Sequence, residues 1–319
     1  MDERYDVVVI GGGAAGLSGA LALSRARRSV LVVDDGTPRN AAAGQVHNYL
    51  GREGTPPAEL LALGRAEVAG YGGRFRDGRV ASADRTDDGF RVTLADGGSV
   101  RARRLLVTTG LADELPDVPG VAELFGGDVL HCPYCHGWEV RDQPIGVLGG
   151  AFGVHQALMW RQWSADLTLF LHTGPEPSDD EREQLAARDI AVVPGVVAGL
   201  DVDGGRLTGV RLTHGRVVAR RALVVSPRFV ARGGVLASLG LDAAPVEMNG
   251  HVVGSAVPAD PTGATAVPGV FVAGNVTDLR AQVISSAAAG LNTAAMLNAD
   301  LIAEDVRLAV AARSLAGAR

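Results

Sequence analysis

A β-branched run at residues 5–10 ends in Gly11-Gly12-Gly13-Ala14-Ala15-Gly16 and passes into a stretch of small residues, to about Arg27, that reads as a helix. A second apolar strand, residues 29–33, ends at Asp34, eighteen residues after Gly16. Strand, glycine turn, helix, strand and a correctly spaced acid constrain this chain more than any other feature, because together they predict a parallel βαβ unit that binds a dinucleotide. Gly11 permits the tight turn, Gly13 lets backbone N–H groups approach a pyrophosphate at the helix N-terminus, and Gly16 allows close packing of helix on strand. Asp34 is placed to accept from a ribose hydroxyl. The motif by itself does not separate FAD from NAD.

At 319 residues the chain is long enough for two cores. Its 47% apolar and 21% charged content is that of a globular protein, and a net charge of −6 argues against a nucleic acid or a membrane surface as the main partner. All 30 basic residues are Arg, so any side-chain cation on a phosphate must be an Arg. Acidic residues precede the N-terminal apolar tract, which does not read as a secretory signal. No stretch reaches the roughly 18 apolar residues of a spanning helix, and a cytoplasmic location is expected.

A second βαβ pattern follows at residues 144–171, with a helix expected over 154–163 and a strand over 167–171. Set against GxGxxG, its first position is Leu148, while Gly150 and Gly153 hold the other two. Where a 2′-phosphate site wants cations, residues 172–181 offer four acids and no Arg before Arg182. Two missing charge-assisted contacts, at about 1.5–3 kcal/mol each, weaken NADP(H) binding by roughly a hundredfold or more. NADH needs no such clamp and stays open. The acidic run 176–183 reads as a solvated turn and helix start.

Both cysteines lie in VLHCPYCHGWEV, residues 129–140. Pro133 suits the first position of a helix, which makes Cys132 the N-cap and puts Cys135 in the first turn, where the helix dipole and the flanking His131 and His136 favour a thiolate. A disulfide closing so short a loop contributes only about 2 kcal/mol as a staple. Zinc lacks a second ligand pair, since His47, His155, His172, His214 and His251 are scattered singly, and no metal is expected. Beside a dinucleotide site, the pair reads best as a two-electron dithiol/disulfide couple. Trp138, Trp160 and Trp163 read as packing residues.

These motifs, with LLVTTGLADELPDVPG from Leu105 and GVFVAGNVTDLRAQVISSAAAGLNTAA from Gly269, occur in an order that resembles the low-molecular-weight thioredoxin reductases of the pyridine nucleotide disulfide oxidoreductases. The resemblance covers nearly the whole chain. It implies an α/β fold of two Rossmann-like nucleotide-binding domains, the second inserted into the first: residues 1–117 and 246–319 binding FAD, and residues 118–245 forming a degenerate NAD(P)-binding-like domain with the CxxC. Cys132 would exchange with substrate and Cys135 with the flavin. Cofactor contacts would come from Gly11, Gly13, Ala14, Ala15 and Gly16, from Asp34, Asp35 and Asn48, from Thr109 and Gly110, and from Gly274, Asn275, Ala281, Gln282 and Val283. A homodimer is expected.

Thioredoxin reductases usually carry an acid after the second cysteine, Asp in the AGD segment and Arg before the Gln near the flavin; this chain has His136, Asn275 and Ala281. The CPxCHG motif is more similar to the flavin-dependent dithiol oxidases of natural-product pathways, such as the gliotoxin and holomycin enzymes. That resemblance implies oxidation of a small dithiol by FAD and oxygen, with His136 either as base or as a tuner of the thiolate field. The alternatives are an NAD(P)H-dependent reductase of thioredoxin or another disulfide, and a non-catalytic flavoprotein redox sensor. Residues 36–54 are expected to form a loop near the flavin, with Asn40, His47 and Asn48 as candidate substrate contacts.

Overall fold

The computed structural model describes residues 3–317. The chain divides into two compact units, the first made of Met1–Ala41, Pro57–Ala112 and Phe229–Arg319, the second of Ala42–Pro56 and Asp113–Arg228. Both are α/β with a parallel sheet at the centre. Among the described residues no helix is long and apolar enough to cross a membrane.

In the first unit, strands Arg74–Asp77, Val30–Asp34, Arg4–Ile10 and Ser99–Val107 run parallel in that spatial order. The strand Val270–Val272 adds in parallel to the C-terminal half of Ser99–Val107, and Gly89–Leu94 pairs antiparallel with its N-terminal half. Unbroken β-branched runs suit these strands because both faces are covered. Val8, Ile10, Leu31 and Val33 enter one core, while Val7, Val9, Val30 and Val32 enter the other.

Two helices define the second core, Ala14–Arg25 and the 35-residue Val283–Gly317. They cross backbone against backbone: a Cβ on Gly290 would lie 2.0 Å from the Ala15 carbonyl oxygen, and one on Gly19 would lie 3.0 Å from the Gly290 oxygen. An ion network fixes the same long helix further along. Arg103 meets Asp6 at 2.8 Å, Glu304 at 2.9 Å and Asp305 at 2.5 Å, Arg28 reaches Asp305 at 2.8 Å, and Arg104 pairs with Asp300 and Glu304. Burial works against the Arg103 charge, but its acidic partners outweigh it and raise its pKa.

The second unit has five parallel strands in the order Ala191–Val193, Leu167–Phe170, Ile145–Leu148, Ala222–Val224 and Val129–Leu130, with an antiparallel meander over Val197–Asp203, Arg206–Leu212 and Val217–Ala219. Asp128, just before the edge strand Val129–Leu130, is gripped by Arg206 through both carboxylate oxygens and accepts from Leu207 N–H at 2.8 Å. The acidic segment starts the helix Asp179–Ala187 through a capping box between Ser178 and Glu181.

The compact units divide at Ala112/Asp113 and Arg228/Phe229, where the sequence placed crossings near residues 118 and 245, and residues 42–56 group with the second unit. Pro245 lies inside the strand Ala244–Met248, and Val235, Leu236, Leu241 and Val257 share a core with Tyr5 and Val8, so residues 229–245 are built into the first unit. The helix expected over 154–163 is Gly153–Trp160. Trp160 is fully buried, but Trp138 is 66% exposed and lies under the Arg141 guanidinium at 4.0 Å, so it is no core residue.

Gly290→Ala forces the helix crossing apart and is expected to cost about 1–3 kcal/mol, lowering the melting temperature by several degrees. Gly70→Ala, where a Cβ meets nothing within 4 Å, leaves it unchanged or raises it. Thermal melts of both variants followed by circular dichroism check the pair.

Candidate active site

The first chemically distinctive place is the turn between Arg4–Ile10 and Ala14–Arg25. Gly11 has φ +104°, and a Cβ there would sit 2.5 Å from the Thr108 carbonyl oxygen; a Cβ on Gly16 would sit 1.9 Å from the Gly11 oxygen. Both glycines are required by close approach. Gly13 differs: nothing lies within 4 Å of its Cβ position, so its backbone faces open space at the N-terminus of a twelve-residue helix. The N–H groups of Ala14, Ala15 and Gly16 have no partner within that helix. Bare donors, a helix dipole and room at Gly13 fit a pyrophosphate.

Asp34 Oδ1 accepts from Gly12 N–H at 2.8 Å and Oδ2 accepts from Gly36 N–H at 3.3 Å, which holds the carboxylate at the end of its strand beside the turn. Asp35 instead accepts from the Thr37 N–H and hydroxyl, at 3.1 and 2.6 Å, and closes its own turn. A Cβ on Gly274 (φ +76°) would lie 2.9 Å from Ala15 Cβ and 3.7 Å from Ser286 Cβ, so Gly274 and the first turn of the long helix meet the first turn of Ala14–Arg25. Asn275 Nδ2 donates to the carbonyls of Asp278 and Ala281, both at 2.9 Å, and so shapes the turn leading to Gln282 and Val283. Thr109 Oγ1 donates to the Arg232 carbonyl at 2.8 Å, and Gly110 (φ +73°) accepts from Arg232 N–H at 2.9 Å. Sequence reasoning missed Thr108, whose hydroxyl donates to the Gly11 carbonyl at 2.8 Å and locks the turn. The signal was there, as the first of two threonines in LLVTTG.

The second place lies at the C-terminal end of the edge strand Val129–Leu130, where sheets of this kind bind ligands. Cys132 and Cys135 form a disulfide, with Cα atoms 5.3 Å apart, and both are half-buried. Pro133 starts the helix and Cys132 is its N-cap, its carbonyl accepting from the N–H groups of Cys135 and His136 at 3.2 Å each. The helix is only Pro133–His136, a single turn, so the dipole invoked for thiolate stabilisation is small. Gly137 is needed because a Cβ would lie 2.5 Å from the Pro133 carbonyl and 2.8 Å from Trp163. His131 stacks on Phe125, with ring centroids 6.2 Å apart.

His136 is half-buried, and burial lowers its pKa; His47 lowers it further and Glu139 opposes both. An imidazole that holds its proton weakly, on the residue after Cys135, can accept a proton. His47 and Asn48 arrive on the segment Ala42–Pro56, which belongs to the cysteine-bearing unit. Asn48 Nδ2 donates to the Tyr134 carbonyl at 2.6 Å, so this amide sits at the disulfide turn. Between segment and turn lies a cleft of about 330 Å³, lined by Gln45, His47, Leu130, His136, Glu139 and Val140 with three glycines.

The third place is the second glycine turn. A Cβ on Gly149 would lie 2.3 Å from the Leu171 carbonyl oxygen, and one on Gly174 would lie 2.8 Å from the Gly150 nitrogen, so residues 171–174 fold directly onto Gly149 and Gly150. His172 Nδ1 accepts from Val197 N–H at 3.1 Å, and burial lowers its pKa, which makes it an acceptor where a phosphate wants a cation. Arg182 is held by Glu176 at 3.3 Å and Asp179 at 3.7 Å.

Residues 5–294 match the family described as pyridine nucleotide-disulphide oxidoreductase. This chain belongs to that family. The oxidoreductase is 33% identical over 315 residues to thioredoxin reductase tcpT of Claviceps purpurea, covering 93% of this chain and 95% of that protein. A probable thioredoxin reductase of Arthroderma benhamiae is 38% identical over 155 residues, 46% of this chain, and the match spans 38% of that protein's length. The crystal structure of HlmI superimposes with a TM-score of 0.90 at 48% identity, covering 98% of this chain and 96% of that one. The oxidoreductase is therefore thioredoxin reductase-like, with a CxxC disulfide, and its cofactor is FAD.

Gly16→Ala in this oxidoreductase opens the turn at Gly11 and is expected to lower the FAD bound per chain by about tenfold or more, read from visible against protein absorbance. His172 gives a pH signature. Its folded state holds the ring proton less tightly than the unfolded chain, so its stabilisation is complete above the ordinary value of 6.5 and is lost as pH falls through the lowered one. Denaturant melts between pH 7 and 5 are expected to show a shallower decline for His172→Asn, whose amide still offers an acceptor.

Proposed function

We propose that this oxidoreductase oxidises a small dithiol to a disulfide through Cys132 and Cys135, with FAD as electron carrier and oxygen as final acceptor. The observation that carries this reading is the segment after the second glycine turn, where His172 accepts a hydrogen bond from Val197 N–H and the first Arg, Arg182, is already held by Glu176 and Asp179. The cleft beside His136, at about 330 Å³, suits a small molecule.

His136 takes the proton of the first substrate thiol. The resulting thiolate attacks Cys132 Sγ, the Cys132–Cys135 bond breaks, and its electron pair goes to Cys135 Sγ. His136 gives its proton up to solvent and takes that of the second substrate thiol, whose thiolate attacks the first substrate sulfur and releases Cys132 as thiolate, so the substrate leaves as a disulfide and the enzyme holds the reduced pair. FAD supplies the two-electron acceptor that reoxidises the pair and can return those electrons to oxygen. Gly11, Gly13, Ala14, Ala15 and Gly16 would hold its pyrophosphate, Asp34 a ribose, and Gly274 and Gln282–Val283 the flavin end. Asp35, Thr109 and Asn275 would act through the turns they build.

A second reading, an NAD(P)H-dependent disulfide reductase, draws on the names of the relatives from Claviceps purpurea and Arthroderma benhamiae. Anaerobic rapid mixing separates the two. Dithiothreitol is expected to bleach the flavin, NADPH and NADH to leave it yellow, and oxygen to restore the colour after bleaching; bleaching by NADPH within milliseconds establishes the reductase. Cys135→Ser should slow bleaching by dithiothreitol on the order of a hundredfold or more.

A further inference from the structure

Glu53 grips the segment Ala42–Pro56 from within: its Oε1 lies 2.6 Å from His47 Nδ1, and its Oε2 accepts from Asn48 N–H at 2.8 Å, with Asn48 in the left-handed region at φ +59°. The two residues so fixed reach outward to the disulfide segment. Asn48 bonds the Tyr134 carbonyl at 2.6 Å, and His47 Nε2 lies 3.3 Å from Glu139 Oε1. Tyr134 and Glu139 stand on either side of His136 in the chain, so the loop is fastened on both sides of that imidazole. His47 is 16% exposed, and a carboxylate oxygen lies against each of its ring nitrogens.

We propose that His47 is a positioning residue for the disulfide exchange: held between Glu53 and Glu139, it fastens the loop to the CxxC segment and fixes the charge that His136 faces across the cleft. This rests on the reading of His136 as the base. The groups facing His136 are Glu139 from its own segment and His47 from the loop, with Glu53 behind His47. The carboxylate favours the protonated ring and the neighbouring histidine disfavours it, so the two neighbours act in opposite directions. His47 also draws part of the Glu139 charge to itself. Its removal both deletes a repulsion and frees an attraction.

The test measures His136 directly and through the reaction, on flavin-loaded protein. Histidine ring signals are followed by NMR against pH, with His136 assigned by its loss in His136→Asn, and flavin bleaching by dithiothreitol is followed anaerobically across the same range. Glu139→Gln is expected to move the His136 midpoint and the acidic limb of the bleaching rate down, and His47→Gln to move both up, each by about half a unit or more. Unmoved midpoints in both variants, shifts of one sign, or a His47→Gln protein that is slower by one factor at every pH would overturn the proposal. If dithiothreitol fails to bleach the wild-type flavin at any pH, the dithiol reading falls, and the NMR midpoints still decide the role of His47.

Discussion

The first unit depends on backbone meeting backbone with no side chain between. Gly16 against Gly11 leaves 1.9 Å for a Cβ that is not there, Gly290 against Ala15 leaves 2.0 Å, and Gly274 against Ala15 leaves 2.9 Å. The preceding turn and two points of the C-terminal part of the chain therefore converge on the first turn of one helix. What remains uncovered is the backbone at Gly13 and the leading N–H groups of that helix. Close packing on three sides and openness on the fourth is what turns a glycine-rich loop into an anion site. The ion network at Arg103 and Arg104 holds the long helix to the sheet further along and leaves its first turn to Gly274 and Ala15.

The second unit uses the same kind of glycine contact to the opposite end. At Gly149 and Gly174 the close partners are the chain's own carbonyl and amide groups after the strand Leu167–Phe170, so the glycines let the loop fold over the turn. His172 is turned to Val197. One architectural unit thus occurs twice, with an acid at the end of the second strand in one copy and a hydrogen-bond-accepting histidine there in the other. Fold alone does not imply the function of the second copy.

The open turn was legible in the sequence because each glycine role is local: strand before, helix after, acid at the next strand end. So was a helix start in the acidic run 176–183, which a capping box from Ser178 supplies. The unit boundaries were not, since the proline at residue 245 marks a strand and the core that claims residues 229–245 is assembled from distant segments. Gly290 looked like any helical glycine until a second backbone was set against it. His47 and Asn48 were singled out, but their grouping with the cysteine-bearing unit was not read, because a loop carries no local pattern that says which unit it joins. Trp138 shows the same limit, because helical spacing cannot show that the Cys132 helix stops after one turn and leaves the ring in solvent.

That short helix also relocates the electrostatics of the redox pair. A long helix would stabilise a thiolate at its N-terminus through the summed peptide dipoles, but one turn sums very little. The charge that biases the couple must then come from side chains, and those facing the cleft are His136, His47 and Glu139. His136 binds its proton weakly because it is half-buried, so it is free to take one from an incoming thiol; once protonated, it is a cation on the residue after Cys135 and would stabilise the thiolate that its own action helped create. The stabilisation appears only after the proton has moved. A permanent dipole would favour the thiolates throughout the cycle and oppose their reoxidation, whereas a titrating histidine can release its proton and withdraw the bias.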